Sequence, residues 1–135
     1  MSKSAIVLTL FIAWALLLLV LMEVLRIHLV LTGRARSNEF APDNSNISPF
    51  MHRLARAQAN CVESLPLFGG LLLVALVTGR TGVTDPLAPW LLGARIVQSS
   101  IHLASTSVVA VNARFAAFVV QMALALHWVW ALLSQ

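Results

Sequence analysis

Between Arg53 and Val77 a polar helix face runs straight into an apolar span, and few folds accept such a segment. Read as an α-helix at about 100° per residue, Arg53, Arg56, Asn60 and Glu63 fall at roughly 0°, −60°, −20° and −80°. Four groups that hydrocarbon rejects therefore share one narrow stripe. A membrane helix keeps such a stripe only where it faces partners inside a bundle or a polar ligand.

The rest of the chain makes the membrane the expected solvent. Of 135 residues, 59% are hydrophobic and only 10% charged, too apolar for an ordinary soluble domain. The length suits one domain in which four spans of about 20 residues, each about 30 Å long, use most of the chain. Lysine and arginine number 9 against 5 aspartate and glutamate, but they are scattered among apolar runs. That scatter argues against nucleic acid and for a topology signal or an anionic ligand. The single cysteine, Cys61, excludes an intrachain disulfide and a four-cysteine metal site. Lys3 followed by an apolar run imitates a signal peptide. No small-residue cleavage site precedes Glu23 and Arg26, so the run reads as a retained first helix.

The segments punctuate clearly. A first helix runs from about Ala5 to Leu31 and stops at Thr32-Gly33. Arg34 to Ser48 is a polar loop. Ser48-Pro49, a cap followed by proline, opens a second helix to about Thr78, with Pro66 inside it removing one backbone donor. After the Gly79–Gly82 turn, Asp85-Pro86 repeats the cap-plus-proline signal. A third helix then runs from Leu87 to about Thr106. Asn112 is a plausible cap for a fourth, from about Ala113 to Leu133, although the apolar stretch Ser107–Val111 leaves the third helix room to continue. The expected fold is an all-α integral membrane four-helix bundle.

Arg34, Arg36, Arg53, Arg56 and Arg114 cluster at one end of these spans, with Lys3 and Arg80 at the other. The positive-inside rule places the arginine-rich end in the cytoplasm and both termini outside. Trp90, Trp128 and Trp130 map to the opposite interface as an aromatic belt.

Further polar groups share faces. Arg95, Gln98 and His102 lie on one face of the third helix, and Glu23 and Arg26 are one turn apart in the first. Some of these charges have an available structural role as buried pairs, Glu23 with Arg26 for instance. The arginines still outnumber the acids near the cytoplasmic side, and the surplus positive charge invites an anion into the bundle. Arg114, just past the expected cap of the fourth helix, joins the helix N-terminus in an electropositive spot suited to a carboxylate, phosphate or thiolate. His28, His52 and His127 form no metal spacing with His102. No Ser-His-Asp arrangement, phosphate loop or HExxH motif is present.

The segment from Arg56 through Asn60, Glu63 and Pro66 to Phe68 resembles the second-helix signature of the MAPEG family, the membrane-associated proteins in eicosanoid and glutathione metabolism. Thr32-Gly33-Arg34-Ala35-Arg36 is similar to the end of that family's first helix. Ala94-Arg95-Ile96-Val97 with Gln98 and His102 is similar to its third-helix motif, and Asn112-Ala113-Arg114 to the start of its fourth. The resemblance implies a left-handed four-helix bundle assembled as a homotrimer in membrane lipid, with glutathione between neighbouring subunits at the cytoplasmic side. Carried over by motif, Arg56, Asn60 and Glu63 would hold glutathione, Arg36 would assist, and Arg95, Gln98 and His102 would lie on the facing helix. Arg114 would stabilise the glutathione thiolate. That thiolate would attack a lipophilic electrophile or reduce a lipid hydroperoxide arriving through the bilayer.

Three departures are plain. The chain has no tyrosine, and Ser64 and His102 stand where family enzymes often carry one. Phe115 replaces a serine after the catalytic arginine, and the interval from Arg95 to Arg114 is a few residues longer. The alternative reading is a non-catalytic, lipid-binding member of the same family. A small transporter is disfavoured by the lack of an acidic ring or a carboxylate relay. Compact loops and no endoplasmic-reticulum retrieval tail point to a bacterial inner membrane.

Overall fold

The computed structural model describes residues 1–134 and contains five helices. These are α1 (Lys3–Leu31), α2 (Pro49–Val77), the four-residue α3 (Thr81–Thr84), α4 (Ala88–Ala104) and α5 (Val108–Leu133). Among the described residues there is no strand. Helices α1, α2 and α5 are long and apolar enough to cross a membrane, and α4 is shorter at 17 residues. The chain runs up α1, down α2, up α4 and down α5. Helix α2 packs against each of the other four.

Buried positions on α1 fall at Ser4, Val7, Phe11, Ala15, Leu18 and Met22, in steps of three or four. That spacing keeps one seam facing α2 and α4 while Leu10, Leu16, Leu17 and Val20 stay exposed. The seam meets Leu54, Cys61, Phe68 and Leu72 of α2, Leu91 of α4 and Trp128 of α5 in one core. Exposed leucines and valines on every long helix are what hydrocarbon solvent permits.

Helix ends follow the expected signals in several places. Ser48 caps α2 by accepting from the Met51 amide, with Pro49 in the first turn. Gly33 and Gly79 take positive φ, 74° and 70°. Each closes its helix with a paired return of amides: Arg34 to Leu29 and Gly33 to Val30, Arg80 to Ala75 and Gly79 to Leu76.

Other ends differ. Asp85 does not cap the helix that follows it; Leu87 holds that position without a side-chain bond. The Asp85 carboxylate accepts from the Ser4 amide at 2.8 Å and from the Ser4 hydroxyl, which also meets Thr84. It thus adds to the cap of α1, which is Ser2 accepting from the Ala5 amide at 3.1 Å, at a helix N-terminus where a negative charge is favourable. At the last junction α4 ends at Ala104, and α5 starts at Val108, five residues before the expected Ala113. Ser107 is the cap and accepts from the Ala110 amide at 3.2 Å. Val108–Val111 are apolar and helix-compatible, so the earlier hydroxyl wins and Asn112 lies exposed inside the helix. The aromatic belt is also smaller than expected. Trp90 and Trp130 are 69% and 75% exposed, but Trp128 is completely buried in the core.

The loop between α1 and α2 is tied down from inside. Arg26 meets Glu23 at 3.4 Å, as its spacing suggests. Its stronger partner is Asn44, whose Oδ1 accepts from Nε at 2.9 Å and Nη2 at 2.6 Å. Asn44 is buried, adopts positive φ, and donates onward to the Met51 carbonyl.

Candidate functional site

At the end of the bundle that carries the long loop, α2, α4 and α5 splay around a cavity of about 470 Å³. Arg53, Arg56 and Asn60 reach it from α2, Gln98 and His102 from α4, and Arg114 from α5. No carboxylate lines it, whereas three guanidinium groups do. Neither Arg56 nor Arg114 is ion-paired among the described residues, where the acid–base contacts are Arg26–Glu23 and His52–Asp43. Nη1 of Arg114 is buried with no hydrogen-bond partner. A buried donor without an acceptor costs about 1–3 kcal/mol, more for a charged group. Arg114 also lines the cavity, so an anion entering it meets this guanidinium.

The arginines in this region divide by what they touch. Arg53 donates from Nε to the Leu103 carbonyl at 2.9 Å, so part of its charge closes the C-terminus of α4. Arg95 lies wholly inside the bundle. Its Nη1 donates to Asn60 Oδ1 at 2.7 Å and its Nη2 to Ser64 Oγ at 2.6 Å. The rings of Phe11, Phe68 and Phe118 stand 5.5–6.0 Å from its guanidinium carbon. With no acid beside it, the cation is held by two neutral acceptors and by ring faces.

Asn60 is the junction. Its Oδ1 also accepts from Gln98 Nε2 at 3.2 Å. Gln98 Oε1 in turn accepts from Gln121 Nε2 at 2.8 Å, extending the chain into α5. Reasoning from sequence missed Gln121. Its signal was there, a lone amide in the otherwise apolar stretch Val119–Ala123, where a polar group normally has a partner in the bundle.

Of the expected site residues, the fold gathers Arg56, Asn60, Gln98, His102 and Arg114 around one cavity. Arg95 stands behind that wall and is absent from the lining. Glu63 is exposed on α2 and Arg36 is exposed in the loop, and neither borders the cavity within one chain. Arg114 is the seventh residue of α5, about 9 Å from its start at 1.5 Å per residue. The helix-end field has largely faded there, so any stabilisation of an anion falls to the guanidinium itself. Among the described residues no cluster of histidine, cysteine and acids suits a metal.

A second, largely apolar depression shares one lining residue with the first. It is about 610 Å³, lies between α2 and α5, and is lined by residues such as Leu67, Leu71, Met122 and Leu126. Phe118 borders both spaces.

No curated protein matches the chain in sequence. Over residues 4–134 it matches the sequence profile of the MAPEG family. With three helices apolar and long enough to cross a bilayer, the chain is an integral membrane protein, and its match along nearly the whole length makes it a member of the MAPEG family.

Proposed function

We propose that the protein is a membrane glutathione transferase or peroxidase. The observation that carries this reading is a cavity lined by three arginines, Arg114 among them, and by no acid. Glutathione brings two carboxylates and an ionisable thiol. The carboxylates suit Arg56 and the cavity-facing part of Arg53, and the thiolate suits Arg114. Gln98 and His102 complete the wall on the α4 side.

In the transferase reaction the thiol loses its proton to water as the sulfur settles by Arg114. The thiolate then attacks an electrophilic carbon, a C–S bond forms and the leaving group departs with its electron pair. In the peroxidase reaction the sulfur attacks a peroxide oxygen, the O–O bond breaks, and the alkoxide takes a proton. A second glutathione converts the sulfenic acid to disulfide and water. The apolar depression beyond Phe118 offers the lipophilic acceptor a path from the bilayer.

This reading extends to assembly and topology. Glu63 and Arg36 are exposed and lie outside the lining of their own chain's cavity, so a homotrimer is proposed in which neighbouring copies bring them together with the ligand. Helix α4, about 25 Å long by its residue count, serves as the fourth span. Both termini then lie outside, in a bacterial inner membrane.

The test is a titration of glutathione into the purified protein, followed by turnover with a model electrophile. Conjugation with saturable glutathione dependence is the expected result. One observation favours the alternative of a lipid-binding, non-catalytic protein: Ser64, standing where family enzymes often carry tyrosine, accepts from Arg95 and donates to the backbone of Asn60 or Cys61. Binding of a lipid with neither glutathione binding nor turnover establishes that alternative.

A further inference from the structure

Arginine donates hydrogen bonds and never accepts them, and it stays charged in proteins. A buried arginine therefore dictates the orientation of any amide it touches. Nη1 of Arg95, at 2.7 Å, requires the oxygen end of Asn60. Gln98 reaches the same oxygen at 3.2 Å and so must present its own nitrogen. That turns Gln98 Oε1 toward α5, where Gln121 must answer with Nε2. The Gln121 nitrogen is held there by a second bond, to the Ala117 carbonyl at 3.2 Å. Its oxygen pays for the arrangement by remaining buried and unpartnered. Ser64 obeys the same rule. It accepts from Arg95 and sends its proton to the backbone carbonyl of Asn60 or Cys61.

One end of Asn60 is left over. With Oδ1 taken twice, Nδ2 is the end available to the cavity that Asn60 lines. We propose that Arg95 is a positioning residue that never touches the ligand: acting through Asn60, it sets the polarity of the cavity wall, so that Asn60 joins Arg56 and Arg114 as a donor. Gln98 and Gln121 relay the same orientation into α5. The ligand portion at this wall is then an acceptor-rich anion, a carboxylate or phosphate-like group. This rests on the cavity being the anion site of the proposed function, but not on the anion being glutathione.

The experiment is a double-mutant cycle between Arg95 and Asn60, with affinity measured by calorimetry for two probes, glutathione and inorganic phosphate. R95Q frees the Asn60 amide to turn and should weaken binding by about three- to tenfold; N60A removes the donor and should cost about tenfold. In the double variant the losses should not multiply: R95Q adds nothing once N60A is present. R95K keeps a permanent donor and should recover most of the R95Q loss. N60D provides the arm that survives if R95Q fails to fold. Its carboxylate still accepts from Arg95 and Gln98, so thermal stability should match or exceed the parent. It now turns an acceptor to the cavity, and affinity for either anion should fall by about thirtyfold or more. Losses that multiply in the cycle, or unchanged affinity in folded N60D, overturn the proposal. So does a parent protein that binds neither probe. Phosphate binding without glutathione binding defeats glutathione as the ligand, and the cycle on phosphate then decides the positioning role.

Discussion

The two ends of the bundle use the same residue types in opposite ways. At the end holding Asp85, the helix termini are closed by the chain itself. Ser2 caps α1 and Asp85 accepts from the next free amide, that of Ser4, while Arg80 donates to the Leu132 and Ala131 carbonyls of α5 at 2.5 and 3.0 Å. At the other end Arg53 makes the equivalent closure on α4, while among the described residues the exposed Arg56 has no acid partner and the Nη1 of Arg114 no hydrogen-bond partner. An arginine spent on a helix terminus stabilises the fold. One left over a cavity raises the energy of the empty state and lowers it when an anion arrives. On the proposed function, this difference marks the ligand end without any appeal to how many arginines each end has.

Replacing Arg114 should break the comparison most severely. Arg114→Ala is expected to lower turnover by roughly 10²–10³-fold, with most glutathione affinity retained. Its activity should recover at high pH, where free thiol ionises unaided, and Arg114→Lys should fall in between. Steady-state kinetics across pH decide this, and a parent-like rate in Arg114→Ala removes the catalytic assignment.

At the closed end the effects should fall on stability alone. Asp85→Ala removes the acceptor shared by the Ser4 amide and hydroxyl, leaves Ser2 as the cap of α1, and should cost about 1–2 kcal/mol in thermal or denaturant unfolding, with glutathione affinity unchanged. Arg80→Met should cost about 1–2 kcal/mol, again without touching affinity. Arg53→Met sharpens the contrast because Arg53 both closes α4 and borders the cavity. It should lose about 1 kcal/mol of stability and also weaken glutathione binding several-fold. If Arg80→Met and Arg53→Met behave alike in binding, the two ends are not functionally distinct. The smallest change is expected between the ends, at Gly69. A methyl there meets the tips of Leu8 and Leu65 at 2.9–3.0 Å, which can turn aside. Gly69→Ala should shift stability by less than about 1 kcal/mol, since helix propensity offsets crowding.

Much of this was legible in the sequence because the signals are local. Gly33, Gly79 and Ser48-Pro49 mark helix ends through their own backbone chemistry. The stripe of Arg53, Arg56 and Asn60 follows from helical periodicity. What failed depended on distant partners. Asp85 is a good cap by type, but nothing near it in sequence says that it instead accepts from Ser4, 81 residues away in the first turn of α1. Asn112 looked like a cap because asparagine commonly is one, and Ser107 lay in wait five residues earlier. Trp128 matched an interfacial belt by position, yet it faces the core. Among the site residues, spacing found Arg95 but not its burial behind the cavity wall. Periodicity puts a side chain on a face without saying whether a ligand or another amide will meet it there.

The central claim is that Arg114 is left unpartnered so that it can hold a sulfur anion. Difference ultraviolet spectra of the purified protein with glutathione at neutral pH test this most directly, comparing the parent with Arg114→Ala. The account predicts a saturable thiolate absorbance in the parent and its loss in the variant, with glutathione still bound. Equal thiolate signals in both proteins, or bound glutathione that remains a thiol in the parent, would contradict it.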